Sequence, residues 1–243
     1  VKQEVIMNSL ALAGVTEVWV ASGTKFGKTT AAGTAISSTA PLHRQALFRW
    51  IAPIYMQSKI GYNYCKRMLP GEPYVHRHDG EPSLTFPHLE TRVQFFHGQK
   101  PESLEGEGTA GNVLDEAAKM KEEVYTSAKT TTTVTRGKIL GVSTPLGKNW
   151  FYRRCMAARE EMIRAKHEKR QPTMLFINAP STDNPLVTKE ILEEARRSLP
   201  DRLFRQYMLA EFVDDGSVFT GFRENFYGLH LAFDNIERQY WTA

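Results

Sequence analysis

A loop near the start of the chain carries the residue types of a phosphate-binding site. Residues 22 to 30 read SGTKFGKTT, and Gly27, Lys28 and Thr29 fill the second half of the pattern Gly, four free positions, Gly-Lys-Ser/Thr. Ser22 stands where that pattern has its first glycine, so the match is incomplete. In such a loop Lys28 would bind the β- and γ-phosphates and the Thr29 hydroxyl would bind Mg²⁺. The loop is either a nucleotide site or an ordinary glycine-rich turn.

The surroundings of the loop favour the nucleotide site. A predicted strand at 17–21 precedes it and a predicted helix at 28–38 follows it. Backbone N–H groups and the helix N-terminus would then direct positive charge at phosphate oxygens. The residues predicted to bind ATP are Ser22, Gly23, Thr24, Lys25, Phe26, Gly27, Lys28, Thr29 and Thr30.

A second motif, Val113-Leu114-Asp115-Glu116, is a short apolar run that ends in two acids. Asp115 would hold Mg²⁺ through water, and Glu116 would polarise the water that attacks the γ-phosphate. Two solvated acids at a helix start are the alternative, but it does not explain why the pair ends an apolar strand. The two motifs together predict Mg²⁺-dependent hydrolysis of a nucleoside triphosphate, with Lys28 and Glu116 as catalytic residues.

A third polar cluster ends the predicted strand at 138–142. Ser143 and Thr144 follow that strand and Pro145 closes it. The two hydroxyls could hydrogen-bond the γ-phosphate or the attacking water and report the loss of the phosphate. An ordinary strand-ending turn is the alternative.

Strands alternate with helices along the chain. Strands are predicted at 17–21, 47–52, 92–96, 112–114, 138–142 and 173–178, and helices at 3–13, 28–38, 56–68 and 151–170. This alternation predicts an α/β fold with a mainly parallel central sheet flanked by helices, and a ligand site along the carboxyl edge of the strands. The expected divisions are a P-loop ATPase core at 1–179, a small helical lid subdomain at 180–215, and a linker or C-terminal edge at 216–243.

Composition narrows the class of protein. Among 243 residues Lys and Arg exceed Asp and Glu by 31 to 27, a surplus too small to indicate nucleic acid by itself. Residues 151–170, however, hold seven Lys/Arg against three Glu, which is typical of a solvated helix face or of a helix facing an anionic polymer. The two cysteines, Cys65 and Cys155, are expected to be reduced. No stretch has the roughly 18 apolar residues of a membrane helix, so we expect a soluble intracellular protein.

These motifs, in this order, resemble the ATPase domain of the large terminase subunit of tailed bacteriophages. Besides Gly-Lys-Thr after a strand, the similarity is carried by IAPIY at 51–55, PESLEGEG at 101–108 leading into VLDEAA, VSTPLGKNWFYR at 142–153, and the segment 184–219. It runs from about residue 1 to 220. The resemblance implies a RecA-like ATPase that uses ATP and Mg²⁺ to drive double-stranded DNA into a preformed capsid.

The resemblance also implies roles and partners. Gln3 matches the family's adenine-reading glutamine, Ser143 and Thr144 match its coupling motif, and the helices within 180–215 match its lid. The implied partners are a portal protein, a small terminase subunit and further copies of the chain in a ring on the capsid, in the host cell cytoplasm and without a membrane. The isolated domain is expected to be a monomer.

Two positions depart from the family pattern. Many relatives carry Arg where this chain has Thr24, so Lys25 beside it could supply the cation instead. The LxG segment before the acid pair often holds Arg, but here it holds Glu105. If an arginine finger is donated to the neighbouring subunit, Arg136, in the polar turn before the 138–142 strand, is the candidate.

A nuclease, the family's second activity, is not expected in this chain. Asp214, Asp215 and Asp234 are acids near its end, but the residues beyond Val218 are too few for an RNase H-like sheet. The run at 76–79, His-Arg-His-Asp, lacks the further ligands of a metal site. Two alternative functions stay open from sequence: a ring-forming helicase-type ATPase, and a nucleotide-gated DNA-binding module with little turnover.

Overall fold

The computed structural model describes residues 2–69, 75–77 and 82–213. Eight strands of these residues form one sheet: β1 Glu17–Ser22, β2 Leu47–Ala52, β3 Val75–Arg77, β4 Ser83–Phe86, β5 Thr91–His97, β6 Gly111–Asp115, β7 Lys138–Ser143 and β8 Met174–Ala179. Their order is β3-β4-β5-β2-β6-β7-β1-β8. The pairings from β5 to β8 are parallel, and β4 pairs antiparallel with β3 and β5. The predicted mainly parallel sheet is confirmed.

Seven α-helices accompany these strands within the described residues. They are α1 Lys2–Asn8, α2 Lys28–Thr39, α3 Tyr55–Met68, α4 Glu122–Thr131, α5 Trp150–His167, α6 Lys189–Ser198 and α7 Asp201–Met208. Helices α1, α2 and α3 pack in sequence, and α3 also packs on β2 and β5. Helix α5 packs on β8 and β1, and α6 contacts α7. None of the described helices is long and apolar enough to cross a membrane.

Continuous apolar runs form the centre of the sheet. Every residue of β1, β2 and β6 is buried, as expected for parallel strands covered on both faces. On β7 a Cβ at Gly141 would lie 2.3 Å from the Trp19 ring, so a glycine is needed there for the indole to pack against the neighbouring strand. The indole is fully buried. This packing fixes β7 against β1 at the edge that carries the polar loops.

Several sequence expectations differ from the structure. Helix α1 ends at Asn8 and not at 13, while α4 and β4 were not predicted. The strand that ends in Asp115 is not the neighbour of β1, because β7 lies between them. Residues 214–243, which include the acids discussed above and the expected C-terminal linker, lie outside the described residues, as do the side chains of the His-Arg-His-Asp run. The division into a core and a lid at 179/180 stays a prediction.

Candidate active site

The loop after β1 is shaped for an anion. Gly27 caps α2 with φ 95° and ψ 21°, a left-handed conformation that favours glycine. The N–H groups of Lys25, Phe26 and Gly27 donate no hydrogen bond to any described residue. They stand immediately before the first turn of α2, whose own N–H groups lack helical acceptors. Unpaired N–H donors at a helix N-terminus form a binding site for phosphate oxygens.

The first half of the loop is fixed from the side of α7. Gly23 N–H donates to the carbonyl of Ala179 at 2.9 Å, and Thr24 N–H donates to the carbonyl of Tyr207 at 2.7 Å. The Ser181 hydroxyl donates to the carbonyl of Thr24 at 2.5 Å. A Cβ at Gly23 would lie 2.3 Å from that hydroxyl oxygen, so Gly23 is required by close approach. The polar groups of Thr24, where relatives carry Arg, are therefore used in holding the loop.

Gln3 lies against the same loop. Its Nε2 donates to the carbonyl of Phe26 at 2.6 Å, so α1 supports the turn that Gly27 completes. The Asn184 side chain donates to the carbonyl of Lys25 from the other side. The structure thus brings Gln3 to the loop as the sequence predicted, while its role in reading adenine stays a prediction.

Asp115 meets the loop across the intervening strand. The Thr29 hydroxyl donates to Asp115 Oδ1 at 3.3 Å although β7 separates β1 from β6. Asp115 is buried, and burial together with the negative charge of Glu116 raises the pKa of its carboxyl to about 7, with Lys28 acting in the opposite direction. A hydroxyl and a carboxylate side by side are the hard oxygen donors that Mg²⁺ accepts beside substrate phosphates. Thr29 and Asp115 therefore fit the predicted Mg²⁺ site.

Glu116 turns away from the strand into a left-handed conformation with φ 56°. Its Oε1 lies 2.9 Å from Lys28 Nζ, and its Oε2 lies 3.0 Å from Lys119 Nζ. Burial would raise the pKa of Glu116, but the ammonium groups of Lys28 and Lys119 outweigh it, so the pKa lies below its ordinary value. Glu116 is thus held as a carboxylate directly beside the loop.

The turn that carries Glu116 is tied to two other elements. Ala118 N–H donates to Ser143 Oγ at 3.2 Å, and the Ser143 hydroxyl contacts the carbonyl of Thr144 at 3.0 Å. Asn149 Nδ2 donates to the carbonyl of Ala118 at 2.8 Å. The coupling residues and the start of α5 therefore grip one turn, the one that positions the predicted base.

Asn149 and Lys119 were missed by the sequence reasoning. Asn149 Oδ1 accepts the N–H groups of Phe151 and Tyr152, as an N-cap residue does. Its position before a long helix was the available signal for the cap, but nothing local indicates that its amide reaches Ala118. Lys119 stands three residues after Glu116 in a short 3-10 turn, and its proximity to that carboxylate depends on the left-handed conformation of Glu116.

Comparison with known proteins supports the same family. A search against models of protein families gives no match. The large terminase subunits of Thermus phage G20c and Thermus virus P23-45 are 33% identical over 129 residues, which is 50% of this chain and 27% of each relative. The ATPase domain of the large terminase of Thermus phage P74-26 has a similar fold, with a TM-score of 0.68 and 22% identity over 86% of this chain and 93% of that one. The resemblance to large terminases is confirmed.

Longer solved structures agree on the fold. The large terminase of a thermophilic bacteriophage, solved in complex with ADP, gives a TM-score of 0.67 at 19% identity. It is matched over 87% of this chain and 53% of its own length. The predicted RecA-like fold of large terminase ATPase domains is therefore confirmed, and the chain spans only part of the relatives that it matches.

The arginines that the terminase resemblance brought forward differ in their surroundings. Arg154 does not face a polymer: it lies 2.6 Å from the buried carboxylate of Glu17 and 4.8 Å from the centre of the Tyr125 ring. The expectation that Arg154 contacts DNA is therefore wrong, because this side chain neutralises a buried acid. Arg164 and Lys166, farther along α5, are exposed. Arg136 is exposed with φ 53° at the amino end of β7, which is the end opposite Ser143.

Proposed function

We propose that this chain is the ATP-hydrolysing motor domain of a phage large terminase, which powers translocation of double-stranded DNA into the procapsid. The observation that carries the proposal is the convergence of Lys28, Thr29, Asp115 and Glu116 around a loop with unpaired N–H donors. A glycine-rich turn without a ligand would not require a lysine and two carboxylates from another strand at this point.

The residues divide the chemistry among themselves. The N–H groups of the loop and the ammonium of Lys28 bind the β- and γ-phosphates, while Thr29 and Asp115 hold Mg²⁺, which neutralises phosphate charge when bound. Lys28 leaves Glu116 for the phosphates. Oε1 of Glu116 then accepts the proton of the attacking water. Lys25, exposed beside Thr24, is placed to supply the cation that relatives carry as Arg.

Loss of the γ-phosphate is communicated through the turn of Glu116. Ser143 and Asn149 hold opposite sides of Ala118, so a change at Glu116 is passed to β7 and to α5. Helix α5 carries exposed cations at its far end. We propose that this connection couples hydrolysis to movement of DNA.

The relatives support the wider proposal. The large terminase of the thermophilic bacteriophage has been solved with ADP and with ATP-γ-S, which supports ATP as the substrate. Terminase relatives support a phage protein that acts in the host cytoplasm with a portal protein, a small terminase subunit and further copies of itself.

The decisive experiment for ATP hydrolysis is Lys28→Ala. We expect a folded protein that loses ATP turnover by at least about 100-fold, because the cation that stabilises charge on the transferring phosphoryl group is gone. Phosphate release with Mg²⁺ and ATP measures this loss, and circular dichroism controls for folding. Wild-type turnover in a folded Lys28→Ala protein rejects the proposal. Tight ATP binding by the wild type without turnover, alone or with duplex DNA, would favour the nucleotide-gated module.

The DNA half of the proposal is tested on α5. Charge reversal of Arg164 and Lys166 should weaken duplex binding and flatten its dependence on salt, because fewer phosphates are neutralised. ATP affinity should not change. Unchanged duplex binding would return this end of α5 to an ordinary solvated face.

A further inference from the structure

The predicted base is held by two lysines and not by one. Glu116 is buried, with 14% of its side chain exposed, and each of its oxygens has its own ammonium partner. Lys28, at Oε1, is equally buried with 12% exposed, whereas Lys119, at Oε2, is 50% exposed. The catalytic proposal gives a task to Lys28 only.

Nucleotide binding, as proposed above, requires Lys28 to exchange one partner for another. Its ammonium must leave Glu116 to reach the β- and γ-phosphates. A buried carboxylate that loses its only cation is strongly destabilised, because neither water nor a partner compensates its charge. With a single lysine at Glu116, part of the free energy of phosphate binding would be lost in exposing that unpaired charge.

Lys119 is placed to prevent this loss. Its backbone N–H donates to the carbonyl of Glu116 at 2.9 Å, so the two residues share one tight turn. That turn is fixed at Ala118 by Ser143 and Asn149. Lys119 contacts Oε2, the oxygen that Lys28 does not use, so it stays in place when Lys28 departs.

We propose that Lys119 is a positioning residue for the ATPase reaction. It keeps the charge of Glu116 compensated while Lys28 binds phosphate, and it holds Oε2 so that Oε1 is the oxygen presented to water. This inference rests on the proposed function, since it requires Lys28 to bind nucleotide.

The test compares Lys119→Met with Lys119→Arg, and uses Lys121→Met as the matched control. Lys121 is an exposed lysine two residues farther along the chain. With Mg²⁺ and ATP-γ-S as the probe, we expect Lys119→Met to weaken binding by about tenfold, the lower end for loss of a charged partner because Lys119 is half exposed. Lys119→Arg should restore most of the affinity, and Lys121→Met should bind like the wild type. In ATP turnover, kcat should fall along with affinity in Lys119→Met.

A double-mutant cycle with Glu116→Gln separates this role from a general surface effect. Glu116→Gln leaves no negative charge to compensate, so Lys119→Met should have no further effect on ATP-γ-S binding in that background. Wild-type binding by Lys119→Met, or an equal loss in the Glu116→Gln background, overturns the inference. If Lys28→Ala abolishes binding while Lys119→Met is normal, only this inference fails. If Lys28→Ala binds like the wild type, the proposed function fails with it.

Discussion

Asp115 and Glu116 are adjacent carboxylates in opposite electrostatic surroundings. Burial and the neighbouring negative charge raise the pKa of Asp115 to about 7, while two lysines hold the pKa of Glu116 below its ordinary value. Two neighbouring carboxyl groups whose pKa values are driven apart in this way are suited to different tasks. Asp115 faces Thr29 and the expected Mg²⁺ site, whereas Glu116 faces the lysine that would bind phosphate.

The division of labour at these two residues can be measured. Glu116→Gln removes the base but keeps its size, so kcat should fall by about 10² to 10⁴ while ATP still binds with Mg²⁺. Asp115→Asn should instead raise the Mg²⁺ concentration that half-maximal turnover requires, because a carboxylate ligand is lost. Magnesium titrations of turnover distinguish the two variants. Equal, mild effects from both would show that the pair is only a helix start.

At the scale of elements, α5 begins on the turn of the predicted base. Asn149 caps the helix with its carbonyl oxygen and holds Ala118 with its amide nitrogen, and Trp150 Nε1 donates to the carbonyl of Met120 at 2.7 Å. One residue therefore performs a structural task and a connecting task with different atoms. Substitutions can remove one task and keep the other.

Asn149→Asp and Asn149→Ala separate these tasks. Aspartate still accepts the two N–H groups but cannot donate to Ala118, whereas alanine loses both contacts. Asn149→Ala should lower the free energy of unfolding by about 1 kcal/mol, the usual effect of a lost N-cap, and Asn149→Asp should lower it much less. Both should lower kcat, by about tenfold, because the turn of Glu116 loses a support. Denaturant unfolding and steady-state turnover measure the two effects; normal turnover in Asn149→Asp would refute the connection.

Sequence identified the elements that are buried on both faces. The apolar runs of β1, β2 and β6 have little alternative to central strands, and polar residues that end parallel strands must lie at one edge. The convergence of Lys28, Thr29, Asp115 and Glu116 followed from that rule. The loop, the acid pair and the coupling residues were therefore found without coordinates.

Other features depend on contacts distant in sequence. The position of β7 between β1 and β6 is set by how strands assemble and not by any strand alone. Helix α4, EEVYTSAKTT, is rich in threonine, which has modest helix propensity, so it was missed. Arg154 looked like a DNA contact because its partner, the buried Glu17, lies 137 residues earlier. A charge count along a helix cannot reveal a buried partner on another strand.

At the scale of the whole molecule, the site lacks an arginine finger of its own among the residues that the structure describes. Glu105 stands where relatives often carry Arg, and Arg136 is exposed at the opposite end of β7 from the nucleotide loop. A residue so placed can reach a nucleotide only in a neighbouring copy. The isolated domain should then be a monomer with slow turnover, because part of the transition-state charge is uncompensated.

Assembly should correct this deficit, and mixing tests the source of the correction. Assembly on a portal or on DNA should raise turnover, within the range of about 10³ to 10⁵ known for arginine fingers, and Arg136→Ala should remove the gain without changing ATP binding. Adding Glu116→Gln subunits, which cannot hydrolyse ATP but keep Arg136, should rescue Arg136→Ala subunits. Fast hydrolysis by a dilute monomer contradicts donation in trans; failed rescue with normal assembly excludes Arg136.

The attachment of α5 to the catalytic turn also makes the helix a lever arm. Its 18 residues extend about 27 Å, so a tilt of about 5° at Asn149 displaces the far end by about 2 Å. Arg164 and Lys166 lie near that far end. A small rearrangement at Ala118, within the range that a hydrogen bond tolerates, is thereby converted into a larger stroke of two positive charges. The length of this helix, and not only its charge, then sets the step that one hydrolysis event delivers.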